Sequence, residues 1–241
     1  MELKKIAVIH TDFPEKFGIP RQSNLADTRG RIVLEEEYRR EEAVRGLEDY
    51  SYLWLIWEFS EGKREEWSPT VRPPRLGGNC RMGVFATRSP FRPNPLGLSS
   101  VKLDRIEVTE KEGPVLYVTG ADLLDGTPIY DIKPYLPYVD SHPEAKSGFA
   151  GKVQDYALSV CDENGVLDGI GEEDRKVLFQ ILEQDPRPSY QNDPERIYGM
   201  AYAGMNVKFR VEGEKLFIVT MKQNLQNSQK SANYPYLVQK G

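Results

Sequence analysis

The segment SYLWLIWEFS (51–60) alternates and is rich in aromatics, which predicts a strand. KKIAVIHT reads as an earlier strand, and Arg31–Leu34 as a short one followed by a charged turn or short helix. RMGVFAT predicts another strand. LSSVKLDRIEVTE and GPVLYVTGADL predict two more, joined by a turn near Glu112-Gly113. DGTPIYDIKPYLPYVDS is a turn followed by an extended, proline-punctuated segment. Pro/Gly loops separate these runs: KFGIPRQSN, SPTVRPPRLGGN and SPFRPNPLG. Many short strands with almost no helical periodicity predict an all-β sandwich or barrel.

The pattern changes near Ala145. In EEDRKVLFQILEQDP, Val177, Leu178, Ile181 and Leu182 are spaced for one helical face. Strand-like YGMAYAGMNVKFRVEG and KLFIVTMK follow. The chain is therefore read as mainly β: an N-terminal β domain over 1–145, then a smaller α+β domain over 146–241. Only the closing stretch, QNSQKSANYPYL and onward, reads as disordered by composition.

Composition narrows the class. The hydrophobic fraction is ordinary for a soluble globular protein, and the 241 residues suffice for one large or two modest domains. The start, MELKKIAVIHT, lacks signal-peptide architecture, and the longest apolar run, LWLIW, is strand-sized. Cys80 and Cys161 are far apart, which fits two reduced thiols in a cytoplasmic protein better than a disulfide framework. With His10 and His142 isolated, no metal-ligand spacing arises, and no metal is expected.

Charge changes the picture more. The net charge is −5, yet Ser68–Leu103 holds six basic residues (Arg72, Arg75, Arg81, Arg88, Arg92, Lys102) and no acidic one. A local cationic patch on an acidic body suits one anionic partner held at one place. Pro90, Pro93 and Pro95 pre-organise the loop, so it loses less entropy on clamping a ligand. Arg88 and Arg92 can offer planar forks to a carboxylate or phosphate; the alternative is a rigid surface loop with solvated arginines. Asp125-Gly126-Thr127-Pro128 is a turn signal. Asp125 and Asp131 can accept hydrogen bonds from ribose hydroxyls or an amine, unless the segment is a plain hairpin turn. A P-loop, a G-x-G-x-x-G fingerprint and a nucleophile elbow are all absent. The chemistry is then expected to rest on positioning two bound molecules.

The same stretches carry a resemblance. KFGIPRQ (16–22), AVRGLEDYSYLWLIW (43–57), PTVRPPRLGGNCRMGVFATRSPFRPNPLGLS (69–99), DLLDGTPIYDIKPYLPYVDS (122–141) and QDPRPSY (184–190) resemble the bacterial tRNA methyltransferase family TrmO, formerly YaeB or TsaA. The pattern G-x-F-x-x-R-S-x-x-R-P-N-P-x-G at Gly83–Gly97 is its most specific part. The resemblance implies a small β-barrel that binds S-adenosylmethionine (SAM), a homodimer, and a tRNA anticodon loop as partner. The reaction it implies is methylation of N6 of threonylcarbamoyladenosine next to the anticodon of threonine tRNA. It further implies that Pro20, Arg21, Gln22, Arg88, the backbone around Leu98, and Leu124, Asp125, Gly126 and Thr127 hold the cofactor. Ser60-Glu61 stands where the family commonly has a pair including a His; a backbone contact survives that change and a histidine contact does not.

On this reading Arg72, Arg75 and Arg92 neutralise RNA phosphates. Asp131 and Asp125 are the candidates to accept the N6 proton during in-line transfer of the methyl group. Phe91 or Tyr135 offers a surface for the splayed base, and QDPRPSY is expected to help read the tRNA. Four rivals stay open: a non-catalytic RNA-binding barrel, a SAM-dependent methyltransferase with another substrate, an enzyme on a small phosphorylated metabolite, and an interaction protein whose Pro/Arg loops form a dimer seam.

Overall fold

The computed structural model describes residues 2–60, 66–73, 76, 80–152, 155–187, 191 and 193–223. Glu61, Arg75, the end of QDPRPSY and the closing polar stretch lie outside them.

Six strands close an antiparallel barrel: β1 (Ala7–Thr11), β2 (Arg29–Leu34), β3 (Tyr52–Glu58), β6 (Leu96–Thr109), β7 (Gly113–Thr119) and β8 (Thr127–Pro134). Around the barrel their order is β1-β2-β7-β6-β3-β8. Closure leaves none of the six with an unpaired edge. The predicted alternation in β3 is realised, with Leu53, Leu55 and Trp57 buried inward. They meet Ile9, Ile32, Val101, Leu116, Val118 and Ile129 in one core. Between β2 and β3 lie a 3-10 turn, Glu36–Tyr38, and the one-turn helix α1 (Glu41–Val44).

RMGVFAT does not form the expected strand. A two-residue ribbon, β4 (Thr70–Val71) with β5 (Met82–Gly83), gives way to a 3-10 turn over Val84–Ala86. The reason is local: both the N–H and the hydroxyl of Thr87 bond the Val84 carbonyl, at 3.1 and 2.8 Å, and curl the chain.

After β8 come the one-turn helix α2 (Pro137–Asp140) and then the α+β part. This has β9 (Ser159–Cys161), α3 (Glu172–Glu183), β10 (Tyr198–Tyr202), β11 (Met205–Glu212) and β12 (Lys215–Gln223), with sheet order β10-β11-β12-β9. Val177, Leu178, Ile181 and Leu182 of α3 are buried, as their spacing predicts. Their core also takes in Phe13 and Ala26, with Phe17 and Ile19 packed against it, all from the β1–β2 loop. Gly18 sits at φ +99° against Met200, where a side chain has neither the backbone conformation nor the room. That loop therefore fastens the barrel to the α+β part.

Among the described residues, no helix is long and apolar enough to cross a membrane, and no group of three or more His, Cys, Asp or Glu could hold a metal ion.

Candidate active site

Antiparallel closure decides where the loops go. The loops after β1, β3 and β7 all leave from one mouth of the barrel, and they span residues 12–28, 59–95 and 120–126. These three loops carry most of the residues singled out from the sequence.

The turn at Leu124–Thr127 is built first by its backbone. The Thr127 N–H donates to the Leu124 carbonyl at 3.2 Å, and Gly126 supplies the positive φ of 80° the turn needs. It is lashed to β1 and the loop after it: Gly126 N–H to the Ile9 carbonyl at 3.0 Å, and Asp125 N–H to the Phe13 carbonyl at 2.9 Å. The Asp125 carboxylate accepts from the Thr11 N–H and meets His10 Nδ1, each at 3.2 Å. Asp125 thus acts as a strut between turn and strand, and His10, isolated in sequence, is its neighbour in space.

Across the mouth, Arg88 Nη1 donates to Gln22 Oε1, while Gln22 Nε2 donates to the Arg21 carbonyl. Gln22 and Arg88 are therefore brought together from two loops. The Arg21 guanidinium points elsewhere: its Nη2 donates to the carbonyls of Asp185 and Arg187 at 2.8 and 3.2 Å. Those carbonyls are set by a buried bidentate pair between Asp185 and Arg187, at 2.8 and 3.0 Å. Burial opposes ionisation of Asp185, but the bonds and charge of Arg187 hold its carboxyl below the usual range. The first part of QDPRPSY is thus a brace for the loop that carries Pro20, Arg21 and Gln22.

Beneath this pair runs a relay that the sequence did not reveal. The Trp57 indole N–H donates to Ser99 Oγ at 3.0 Å, and the Ser99 hydroxyl donates to Asp122 at 2.6 Å. Burial pushes the Asp122 carboxyl up, against the Ser99 bond and the charge of Arg88. A Cβ on Gly97 would run into the Trp57 ring, so only glycine lets the indole lie there. Asp122 stands in the stretch DLLDGTP; nothing in its spacing separates it from Asp125.

Leu98 is exposed on the outer face of β6. It pairs with Ile56 of β3, which pairs in turn with Asp131 of β8, so the three share one face of the wall. The Asp131 carboxylate accepts from the Ile132 N–H at 3.0 Å and pairs with Lys133 at 2.9 Å. Among the described residues, its partners are thus its own strand neighbours, not Gln22, Arg88 or Asp122. Ser60 is exposed just beyond β3, and Arg72 is exposed beside β4. Arg92 Nη2 donates to the Thr87 carbonyl at 3.2 Å. Tyr135 packs against Tyr52 and Trp54 on the barrel wall.

These groups suit a ligand with a carboxylate, an amine, hydroxyls and a flat ring: Arg88 for the first, Asp122 and the turn for the next two, Leu98 and Ile56 for the last. Fold and site together define a closed β-barrel whose ligand site lies at one mouth, in place of the crevice of a doubly wound sheet. More particularly, the chain belongs to the TrmO family. Its residues 8–141 match the family model of the tRNA-methyltransferase O N-terminal domain, and residues 170–224 match the TrmO C-terminal domain.

The chain is 42% identical over 219 residues to the Escherichia coli tRNA (adenine(37)-N6)-methyltransferase, covering 87% of this chain and 93% of that protein. Identity to the Eikenella corrodens protein of the same name is 52% over 166 residues, 68% of this chain and 92% of the relative. A crystal structure of TrmO superposes with a TM-score of 0.75 at 32% identity, covering 92% of this chain and 98% of that one. One of TrmO from Pseudomonas aeruginosa gives 0.73 at the same identity and coverage.

Proposed function

We propose that this protein transfers the methyl group of SAM to N6 of the adenine next to the anticodon of tRNA. We take the substrate to be the threonylcarbamoyl-modified base of threonine tRNA, and the enzyme to be a cytoplasmic homodimer with units at 1–145 and 146–241. The observation that carries this reading is the convergence of Gln22, Arg88, Asp122 and the Leu124–Thr127 turn at one barrel mouth, in a chain of the TrmO family.

When bound, SAM supplies an electrophilic methyl group on its sulfonium. Arg88 holds a carboxylate with a charge-assisted hydrogen bond, and Gln22 fixes the guanidinium for it. Pro20, Arg21, Ser60 and Leu98 complete the cofactor cleft. Arg21 contributes through its backbone, since its side chain braces the loop. Asp125 and the Gly126-Thr127 backbone face the ribose and amine. Arg72, Arg75 and Arg92 take RNA phosphates.

The target N6 is a weak nucleophile because its lone pair is shared with the ring, so a group that accepts its proton helps. Asp131 is the candidate on the open wall beside Ile56 and Leu98; Asp125 is committed to Thr11 and His10. The test is incubation with SAM and threonine tRNA bearing the modified base, followed by mass analysis of the nucleosides. One added methyl on that base supports the reading. An unchanged nucleoside, with SAM shown to bind, refutes it.

A further inference from the structure

Two large aromatic rings lie on the surface of the β3–β6 connection. Trp67 is 51% exposed and Phe85 74%, with ring centroids 6.4 Å apart and planes 19° from parallel. Isolated exposed apolar side chains are ordinary, but two stacked large aromatics in the open are not. Backbone hydrogen bonds anchor the segments that carry them. Trp67 precedes β4, where the Ser68 N–H bonds the Phe91 carbonyl at 3.1 Å. Phe85 sits in the 3-10 turn after β5, where the Val84 N–H bonds the Pro69 carbonyl at 3.0 Å.

Phe85 also forms one wall of a shallow, open cleft shared with Arg92, Pro93, Asn94 and Leu96. No lining residue is acidic, and the cleft lies in the acid-free, six-cation stretch Ser68–Leu103. Arg92 is steadied by the Thr87 carbonyl, and the Asn94 amide offers both a donor and an acceptor. The Phe85 ring, with Trp67 stacked against it, and a guanidinium and an amide lining the same cleft as Phe85 match a flat heterocycle carrying an anion.

We infer that Trp67 and Phe85 with Arg92 and Asn94 form a nucleotide-binding cleft for an unpaired residue of the RNA substrate, its base on the aromatic pair and its phosphate on Arg92. Single-stranded RNA is commonly gripped in this way, by stacking plus neutralisation of the backbone. The inference rests on the methyl-transfer reading and deepens it: Phe91 and Tyr135 are not needed as the platform, and the RNA approaches over the β4–β5 ribbon.

The test uses the full-length chain and a labelled hairpin RNA with the threonine anticodon loop and its threonylcarbamoyl-modified adenine. Affinities are measured by anisotropy for wild type, Phe85→Ala, Trp67→Ala and Phe85→Tyr. SAM titration and the solution mass of each variant are recorded alongside. The expected result is a loss of RNA affinity of roughly tenfold to a hundredfold in each alanine variant, restoration by Phe85→Tyr, and unchanged SAM affinity and mass. Alanine variants that bind RNA as the wild type does overturn the inference and leave the methyl-transfer reading intact. A lower mass assigns the face to a second copy of the chain, and loss of SAM binding assigns it to the cofactor; either overturns it. A wild type that binds SAM but no RNA overturns both readings.

Discussion

Gln22 and Arg88 lie 66 positions apart, yet the guanidinium of one donates to the side-chain carbonyl of the other at the barrel mouth. A neutral acceptor holds an arginine in place while leaving its charge for a ligand. Gln22→Glu replaces it with a carboxylate that competes for the same fork. SAM affinity is expected to fall about tenfold or more at low salt, with partial recovery as salt screens the new pair. Calorimetric titration at two ionic strengths checks this; equal affinities for variant and wild type contradict it.

The relay from Trp57 through Ser99 to Asp122 predicts a stability effect. Ser99→Ala leaves the indole N–H and the Asp122 carboxylate each short of a partner in a dry site. The expected cost is about 1–3 kcal/mol, read as a lower urea midpoint with unchanged slope.

Gly97 tests the same region by volume. In Gly97→Ala the new methyl meets the Trp57 ring carbons, so the indole must move and its bond to Ser99 is strained. Overpacking of this kind costs roughly 1–3 kcal/mol. SAM affinity should fall with it, since Ser99 orients Asp122. Normal stability and normal SAM binding in this variant contradict the placement of Trp57.

A pH effect follows from the joint between the two parts. Asp12 of the β1–β2 loop and Asp174 of α3 both pair with Arg29, Asp12 at 3.7 Å. Burial pushes the Asp12 carboxyl up to about 6; Arg29 opposes this, and the charges of Asp174 and Asp125 add to it. The folded value exceeds the unfolded one, so the proton stabilises the fold at low pH. That contribution is full below about 3.8 and is lost as pH rises through about 6. Asp12→Asn has no such proton to lose. Relative to wild type it should gain stability between pH 4 and 7, by up to about 3 kcal/mol. Urea midpoints across that range check it, and a pH-independent difference contradicts it.

The barrel strands were legible because a closed sheet with one buried face imposes a period of two, as in β3, where Leu53, Leu55 and Trp57 alternate with Trp54 and Ile56. The helix α3 was legible for the analogous reason at its own period. Val84–Ala86 was misread because an apolar triplet looks the same in a strand and in a 3-10 turn; the Thr87 hydroxyl decides between them.

The site was legible in its loops, since Arg, Pro and Gly mark them. It was not legible in its floor. Ser99 and Trp57 meet through the β3–β6 register, and Asp122 reaches Ser99 from the β7–β8 loop; no local pattern encodes either. Nor did the sequence show that Phe13 and Phe17, set among polar residues, belong to the core of the α+β part.

The central claim is that the barrel mouth holds SAM through Arg88, and the most direct measurement is calorimetric titration of SAM into wild type and Arg88→Ala. The account predicts saturable binding by the wild type, weakened at least tenfold in the variant, with an unchanged urea midpoint. Equal affinities in the two proteins, or no binding by the folded wild type in the presence of tRNA, contradict it.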